Sequence, residues 1–145
     1  MSHKSNLRTF KTKKFAKNAK SANISDSDLC EAMKEVITGQ VVDLGGGVYK
    51  KKLNKNQHRS IVLANGGEFW IYEFLFAKND RDNIDVAELE MFRLLAKSYG
   101  ALKKVQLAQL LEEKYLLEIC RLLLVFAVAE QNHLYQFLLL LEFAL

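Results

Sequence analysis

Basic side chains are concentrated in one short stretch of the sequence, and they are the residues best suited to chemistry on phosphates. Ten positions contain Lys50, Lys51, Lys52, Lys55, His58 and Arg59. Fixed cations stabilise the negative charge that a phosphate gains in a transition state. The planar guanidinium of an arginine can hold two phosphate oxygens, and an imidazole can act as a general acid or base. The other interpretation is a solvated strand edge, whose lysines discourage pairing between sheets.

The charge of the chain is divided unequally between its two halves. Residues 1–60 contain 13 Lys or Arg against 5 Asp or Glu, whereas residues 61–145 contain 8 against 12. A basic half favours an anionic partner, most often nucleic acid. The 145 residues, half of them hydrophobic, suit one domain with a core and are too few for two ordinary domains. No secretory signal or confident membrane span is predicted, so we expect the cytoplasm and no membrane partner.

The elements that must position these cations are predicted to be strands in the middle of the chain, flanked by helices. We expect strands over residues 7–11, 48–53, 58–64 and 68–77, with a tight turn at 65–67 and an antiparallel meander. Alternation would place Lys50 and Lys52 on one face of their strand and Lys51 on the other. Helical spacing and capping residues predict three helices, at 29–37, 86–99 and 103–114.

The run Gly45–Gly47 could cradle a phosphate with its backbone amides. It lacks the GxGxxG spacing and precedes a strand rather than a helix. A flexible turn or a bulge is therefore the favoured interpretation.

The two cysteines, Cys30 and Cys120, do not have CxxC spacing. The spacing therefore suggests neither a zinc site nor a disulfide framework. We expect both to be small buried residues in a reducing compartment.

Several separate segments of this chain match a known family in the same order. They are Phe10–Ala16, Leu44–Lys50, Lys52–Ser60 and Phe74–Ile84. Together they resemble the RelE-type toxins of bacterial type II toxin–antitoxin modules, in the RelE/ParE superfamily. The branch that they resemble carries an FAKN…NI motif after the last strand. The resemblance covers residues 7–120, and we expect a toxin domain over 1–120 followed by an atypical apolar tail, 121–145.

The resemblance implies an α+β fold with helices packed on one side of a small curved antiparallel sheet. It implies a ribosome-dependent endoribonuclease, an mRNA interferase that inhibits translation by cleaving mRNA, without a metal or other cofactor. Its expected partners are the ribosome, the mRNA and a cognate antitoxin of helix-turn-helix type that holds it inactive. Two alternatives stay open. They are a toxin of the same fold that inhibits a protein such as DNA gyrase, and a basic nucleic-acid-binding module.

On this resemblance we assign candidate roles to eleven residues. The candidate catalytic residues are Arg59, Lys52, His58 and Lys78. The candidate RNA-binding residues are Lys50, Lys55, Lys11, Lys13, Lys14, Asn79 and Asn83. The loop Asn54–Gln57 departs from the pattern of this branch, because it is short and lacks glycine.

Overall fold

A six-stranded sheet forms the centre of the computed structural model, which describes residues 6–64 and 68–123. The strands lie in the order β2-β3-β4-β5-β1-β6. Neighbouring strands are antiparallel except for β1 and β5, which are parallel. The strands are β1 (Asn6–Thr12), β2 (Val42–Gly45), β3 (Val48–Leu53), β4 (His58–Ala64), β5 (Phe69–Ala77) and β6 (Leu116–Leu123). The helices are α1 (Lys13–Ser21), α2 (Asp26–Ile37), α3 (Val86–Gly100) and α4 (Lys104–Glu112). The expected α+β class is confirmed.

The helices cover both faces of this sheet. Val62 and Tyr72 face α1 and α2, and the Tyr72 hydroxyl donates a 2.7 Å hydrogen bond to the carbonyl of Leu29. Ile61 and Leu63, which alternate with Val62 along β4, pack against α3. The expectation that the helices lie on one side is therefore wrong. The central strands are apolar on both faces, and each face must be covered from water.

No sequence pattern predicts a helix at α1 or a strand at β2 or β6. Residues 12–20 are expected only as a basic stretch, because four lysines and an asparagine conceal a short apolar stripe. Phe15 and Ala19, four residues apart, are buried, and the Thr12 side chain caps the helix by accepting a hydrogen bond from the Phe15 amide at 3.0 Å. β2 has only four residues. β6 crosses position 121, where the sequence pattern places the start of an apolar tail.

Of the three glycines, Gly45 ends β2, and Gly46 and Gly47 form the turn to β3, as the favoured interpretation predicts. All three have positive φ angles, of 84°, 66° and 82°. A Cβ atom at Gly47 would lie 2.3 Å from the carbonyl oxygen of Ala64, so only glycine fits there. Arg93 of α3 donates hydrogen bonds to the carbonyls of Leu44 and Gly45 at 2.7 and 3.3 Å. These hydrogen bonds hold the turn against α3.

The two cysteines are joined, which corrects the expectation of unpaired thiols. Cys30 on α2 and Cys120 on β6 form a disulfide with a Cα–Cα distance of 6.2 Å. Both residues are half-buried rather than buried. Spacing along the chain could not reveal this bond, because the cysteines are 90 residues apart and meet only when α2 packs against β6.

Two predicted features lie partly or wholly outside the described residues. The tight turn at 65–67 is one, and most of the predicted apolar tail, 124–145, is the other. Within the part of the chain that the structure describes, no helix is long and apolar enough to cross a membrane.

Candidate functional site

Arg59 lies on β4, directly opposite Lys52 of β3 and Phe76 of β5. Residues opposite each other in antiparallel strands project to the same face, so these three side chains share one face of the sheet. Lys50, two positions before Lys52, projects to this face as well. We call Lys50, Lys52 and Arg59 the cationic face. Lys51 projects to the other face, where its ammonium group lies 3.2 Å from a carboxylate oxygen of Glu35.

The Arg59 side chain is mostly buried, and no described acidic residue lies beside it as an ion-pair partner. The residue is only 9% exposed. Its Nη1 atom donates to the carbonyls of Asn56 and His58 at 2.9 and 3.1 Å. Among the described residues no carboxylate forms an ion pair with it. Because an unpaired buried charge is unfavourable, this position is suited to binding an anion from solution.

The loop between β3 and β4 holds Arg59 through an unusual backbone. Three consecutive residues, Asn54, Lys55 and Asn56, have positive φ angles of 55°, 53° and 70°. Asparagine tolerates this left-handed region better than most residues, but for lysine it is unfavourable. The loop makes its turn without glycine, and its Asn56 carbonyl accepts a hydrogen bond from Arg59. Such strained backbone is often found at functional sites.

The imidazole of His58 does not join the cationic face. His58 pairs with Leu53 and Ala77, and alternation along β4 directs it to the face opposite that of Arg59. Its Nδ1 atom lies 3.2 Å from the side-chain nitrogen of Asn54. Since His58 is the first residue of β4, a ligand could contact both side chains only around the end of the strand.

The loop after β5 adjoins the loop between β3 and β4. The amide of Lys78 donates to the carbonyl of Gln57 at 2.9 Å, and the Lys78 side chain is exposed. Asn79 is exposed in the same turn. Asn83 shapes this loop, because its side-chain oxygen accepts from the Ile84 amide and its carbonyl accepts from Arg81.

Arg81 is a second arginine at this site, and the sequence analysis does not single it out. Its guanidinium lies 5.4 Å from the centroid of the Phe76 ring and 5.9 Å from that of Phe74. Hydrogen bonds from Arg81 lower the pKa of the Glu88 carboxyl. Arg81 and Arg59 therefore both adjoin Phe76, but only Arg81 is neutralised by an acid. The motif Phe74–Ile84 contains Arg81, and this is the one signal that could have identified it.

The N-terminal lysines fall into two groups. The ammonium group of Lys11 lies 2.6 Å from a carboxylate oxygen of Asp26, so its charge is compensated. Lys13 and Lys14 begin α1 with exposed side chains, and no described acid pairs with them. Lys55 is also exposed. The structure thus groups Lys52, Lys50 and Arg59 and places Lys11 elsewhere.

A partly buried carboxyl group occupies the middle of β5. Glu73 is the extra residue where the register between β4 and β5 shifts, and the Tyr99 hydroxyl donates to its carboxylate at 3.3 Å. Burial raises the pKa of Glu73 to about 7, although the hydrogen bond from Tyr99 acts in the opposite direction. Sequence alone gave no sign of this pair, because a single acid in an apolar strand resembles an exposed position.

Replacing Glu73 with glutamine is expected to reduce the pH dependence of stability. The pKa of Glu73 is about 7 in the folded chain, above the value of about 4.3 for a free glutamate, so the folded state binds the proton more tightly. The stability that the folded state gains from this tighter proton binding is fully present below about pH 4 and is lost as the pH rises through about 7. At about pH 8, Glu73→Gln should raise the free energy of unfolding by on the order of 1–3 kcal/mol. Urea unfolding at several pH values measures the free energy of unfolding of both chains.

The control for this measurement is Glu112→Gln, which changes an exposed carboxylate on α4. It should leave the pH profile unchanged. If Glu73→Gln and the unmodified chain lose stability in parallel between about pH 5 and 8, burial does not raise the pKa of Glu73.

The fold and the site together define a small basic α+β protein. One face of its sheet carries two lysines and an arginine for which the described residues supply no acidic partner. Within residues 6–64 and 68–123, no group of three or more His, Cys, Asp or Glu residues is placed to hold a metal ion.

Comparison with protein families supports a specific assignment. The model described as the RelE toxin of the RelE/RelB toxin–antitoxin system matches residues 7–119. The chain belongs to the RelE toxin family. It is therefore the toxin of a toxin–antitoxin system, and the family implies an antitoxin of the RelB type as its partner. Searches of curated proteins and of solved structures gave no match. Membership of the FAKN…NI branch stays a prediction.

Proposed function

We propose that this toxin is a ribosome-dependent endoribonuclease that cleaves mRNA. The observation that carries the proposal is Arg59, which is nearly buried opposite Lys52 and has no carboxylate partner in residues 6–64 and 68–123. Such a group gains most from a ligand whose negative charge grows during the reaction. A phosphodiester under attack is a ligand of this kind.

The proposed reaction uses the RNA itself as the nucleophile. The 2′-hydroxyl oxygen attacks the adjacent phosphorus, and the bond from phosphorus to the 5′-oxygen breaks. The products are a 2′,3′-cyclic phosphate and a 5′-hydroxyl, so one proton leaves the 2′-oxygen and one reaches the 5′-oxygen. Arg59 stabilises the pentacoordinate phosphate, and Lys52 stabilises the developing 2′-oxyanion.

The remaining candidates have supporting roles in this proposal. Lys50 and Lys55 hold the RNA backbone, and Lys78 adds a cation beside the loop between β3 and β4. His58 is placed to exchange protons only with a ligand that bends around the end of β4. Asn79 and Asn83 define the adjoining loop.

The proposed cellular setting follows from this activity. The toxin acts in the cytoplasm, where mRNA and ribosomes are both present. A helix-turn-helix antitoxin binds it and keeps it inactive. The toxin domain extends over 1–120, and residues 121–145 form an additional apolar segment.

The test uses the purified chain and ribosomes translating a defined mRNA. Primer extension should detect cuts in ribosome-bound mRNA, with 5′-hydroxyl ends and with loss of the cuts when antitoxin is added. The same mRNA without ribosomes is the control and should stay intact. Intact mRNA in every reaction, together with inhibition of DNA supercoiling by gyrase, would contradict the proposal and favour a toxin that acts on a protein.

A further inference from the structure

A groove separate from the cationic face lies where α1 begins. It has a volume of about 520 Å³ and is lined by Thr12, Lys13, Lys14, Lys17, Tyr99 and Tyr115. This volume falls within the range of about 300–1,000 Å³ that is typical of small-molecule sites. The groove is therefore large enough for one nucleotide.

Tyr115 is the only exposed aromatic residue among those that the structure describes, with 59% of its surface accessible. Its backbone is fixed at both ends. The Tyr115 amide donates to the carbonyl of Leu110, and the Tyr115 carbonyl accepts from the amide of Lys13, each at 3.0 Å. An exposed ring on a fixed backbone offers a flat apolar surface at low entropic cost.

The lysines of this groove are not neutralised. Lys13, Lys14 and Lys17 are exposed, and no ion pair joins them to an acid in residues 6–64 or 68–123. The first turn of α1 contains no acidic residue, although the helix dipole disfavours cations there. Lys11, just before the groove, is by contrast paired with Asp26. The positive charge is therefore available to an anion.

We propose that this groove binds a nucleotide of single-stranded RNA, with its base stacked on Tyr115 and its phosphates on Lys13, Lys14 and Lys17. The proposal rests on the proposed function and adds a second contact for the same substrate. Stacking on an aromatic ring combined with basic side chains is how proteins hold single strands without sequence preference. Along β5, Lys11 is opposite Tyr72 and Arg59 is opposite Phe76. The separation of these two positions along β5 is roughly 13 Å at 3.3 Å per residue, and β1 and β4 lie on opposite sides of β5.

The test measures binding of a short fluorescent oligouridine whose 2′-hydroxyls are methylated, so that it cannot be cleaved. Tyr115→Ala should weaken its binding to the full chain by about 5- to 100-fold. Tyr115→Phe should bind like the unmodified chain, because stacking does not need the hydroxyl. Lys17→Gln should weaken binding and reduce its salt dependence, whereas Lys97→Gln, an exposed lysine on α3, should not.

Unchanged oligouridine affinity in Tyr115→Ala would overturn the inference. If the same variant also bound the antitoxin more weakly, the groove would be assigned to the protein partner. Failure of the proposed function is distinguishable. If the unmodified chain cuts no mRNA on ribosomes but Tyr115→Ala still weakens oligouridine binding, the inference about the groove holds and the proposed cleavage does not.

Discussion

Replacing Arg59 with alanine is expected to reduce cleavage of ribosome-bound mRNA by about 10²–10³-fold, the usual effect of removing one donor that stabilises a transition state. The loss should appear in the rate of cleavage at saturating ribosome concentration, because the charge matters most when the phosphate is pentacoordinate. Primer extension over a time course measures this rate. The Arg59→Ala variant should likewise not be toxic when its expression is induced in a bacterial host.

Two further variants separate chemistry from folding in this experiment. Arg59→Lys keeps the charge but loses the planar fork, and it should recover only part of the activity. Arg121→Ala removes an exposed arginine on β6 and should cleave like the unmodified chain. Because truncation of a nearly buried residue can also affect folding, thermal unfolding of Arg59→Ala must be measured in parallel. Cleavage and toxicity at the normal level in a folded Arg59→Ala protein would refute the role of Arg59.

Removing the disulfide between Cys30 and Cys120 is expected to lower the free energy of unfolding by about 2–5 kcal/mol. The two cysteines are 90 residues apart, so the bond excludes many conformations of the unfolded chain. Urea unfolding with and without dithiothreitol measures the difference. The double variant Cys30→Ser with Cys120→Ser should match the reduced chain.

The double variant also serves as the control, since dithiothreitol should leave its stability unchanged. Labelling the unfolded, unreduced chain with a thiol reagent gives an independent readout. Two reactive thiols per chain would show that the bond is absent. In a cytoplasmic protein a bond of this kind would be subject to reduction, and the stability of the toxin would then depend on the redox state of the cell.

Much of the fold follows from local patterns in the sequence. The strands β3, β4 and β5 and the helices α2, α3 and α4 occur where alternation, helical spacing and capping residues predict them. The helices α2 and α3 begin with the capping boxes of Ser25 and Asp85. These signals are local, since they depend on residues within a few positions of one another.

β6 and the disulfide were missed because each depends on a partner that is distant in the sequence. β6 is recognisable as a strand only beside β1. The two strands are antiparallel, and their pairing runs from Asn6 opposite Leu123 to Thr12 opposite Leu116. The parallel pairing of β1 with β5 likewise joins residues that are distant in the sequence. The disulfide needs two elements to meet, and no spacing rule expresses this.

The sequence also predicts part of the candidate site. The alternation rule is sufficient to place Lys50 and Lys52 on one face, and the hairpin register then adds Arg59. It does not reveal that the Arg59 guanidinium lacks an acidic partner, that Arg81 lies over Phe76, or that Tyr115 is exposed. Those facts depend on how loops and helix ends pack, and the sequence does not encode them in any periodic pattern.

The position of β1 between β5 and β6 has a consequence for the synthesis of the toxin. Its seven residues are made before either of its two neighbours, which begin at Phe69 and Leu116. Contacts between such distant residues form slowly, because the intervening chain must first be brought together. The sheet therefore reaches its final order only after β6 has been made. Before that point a nascent toxin does not have the complete sheet on which its proposed activity depends.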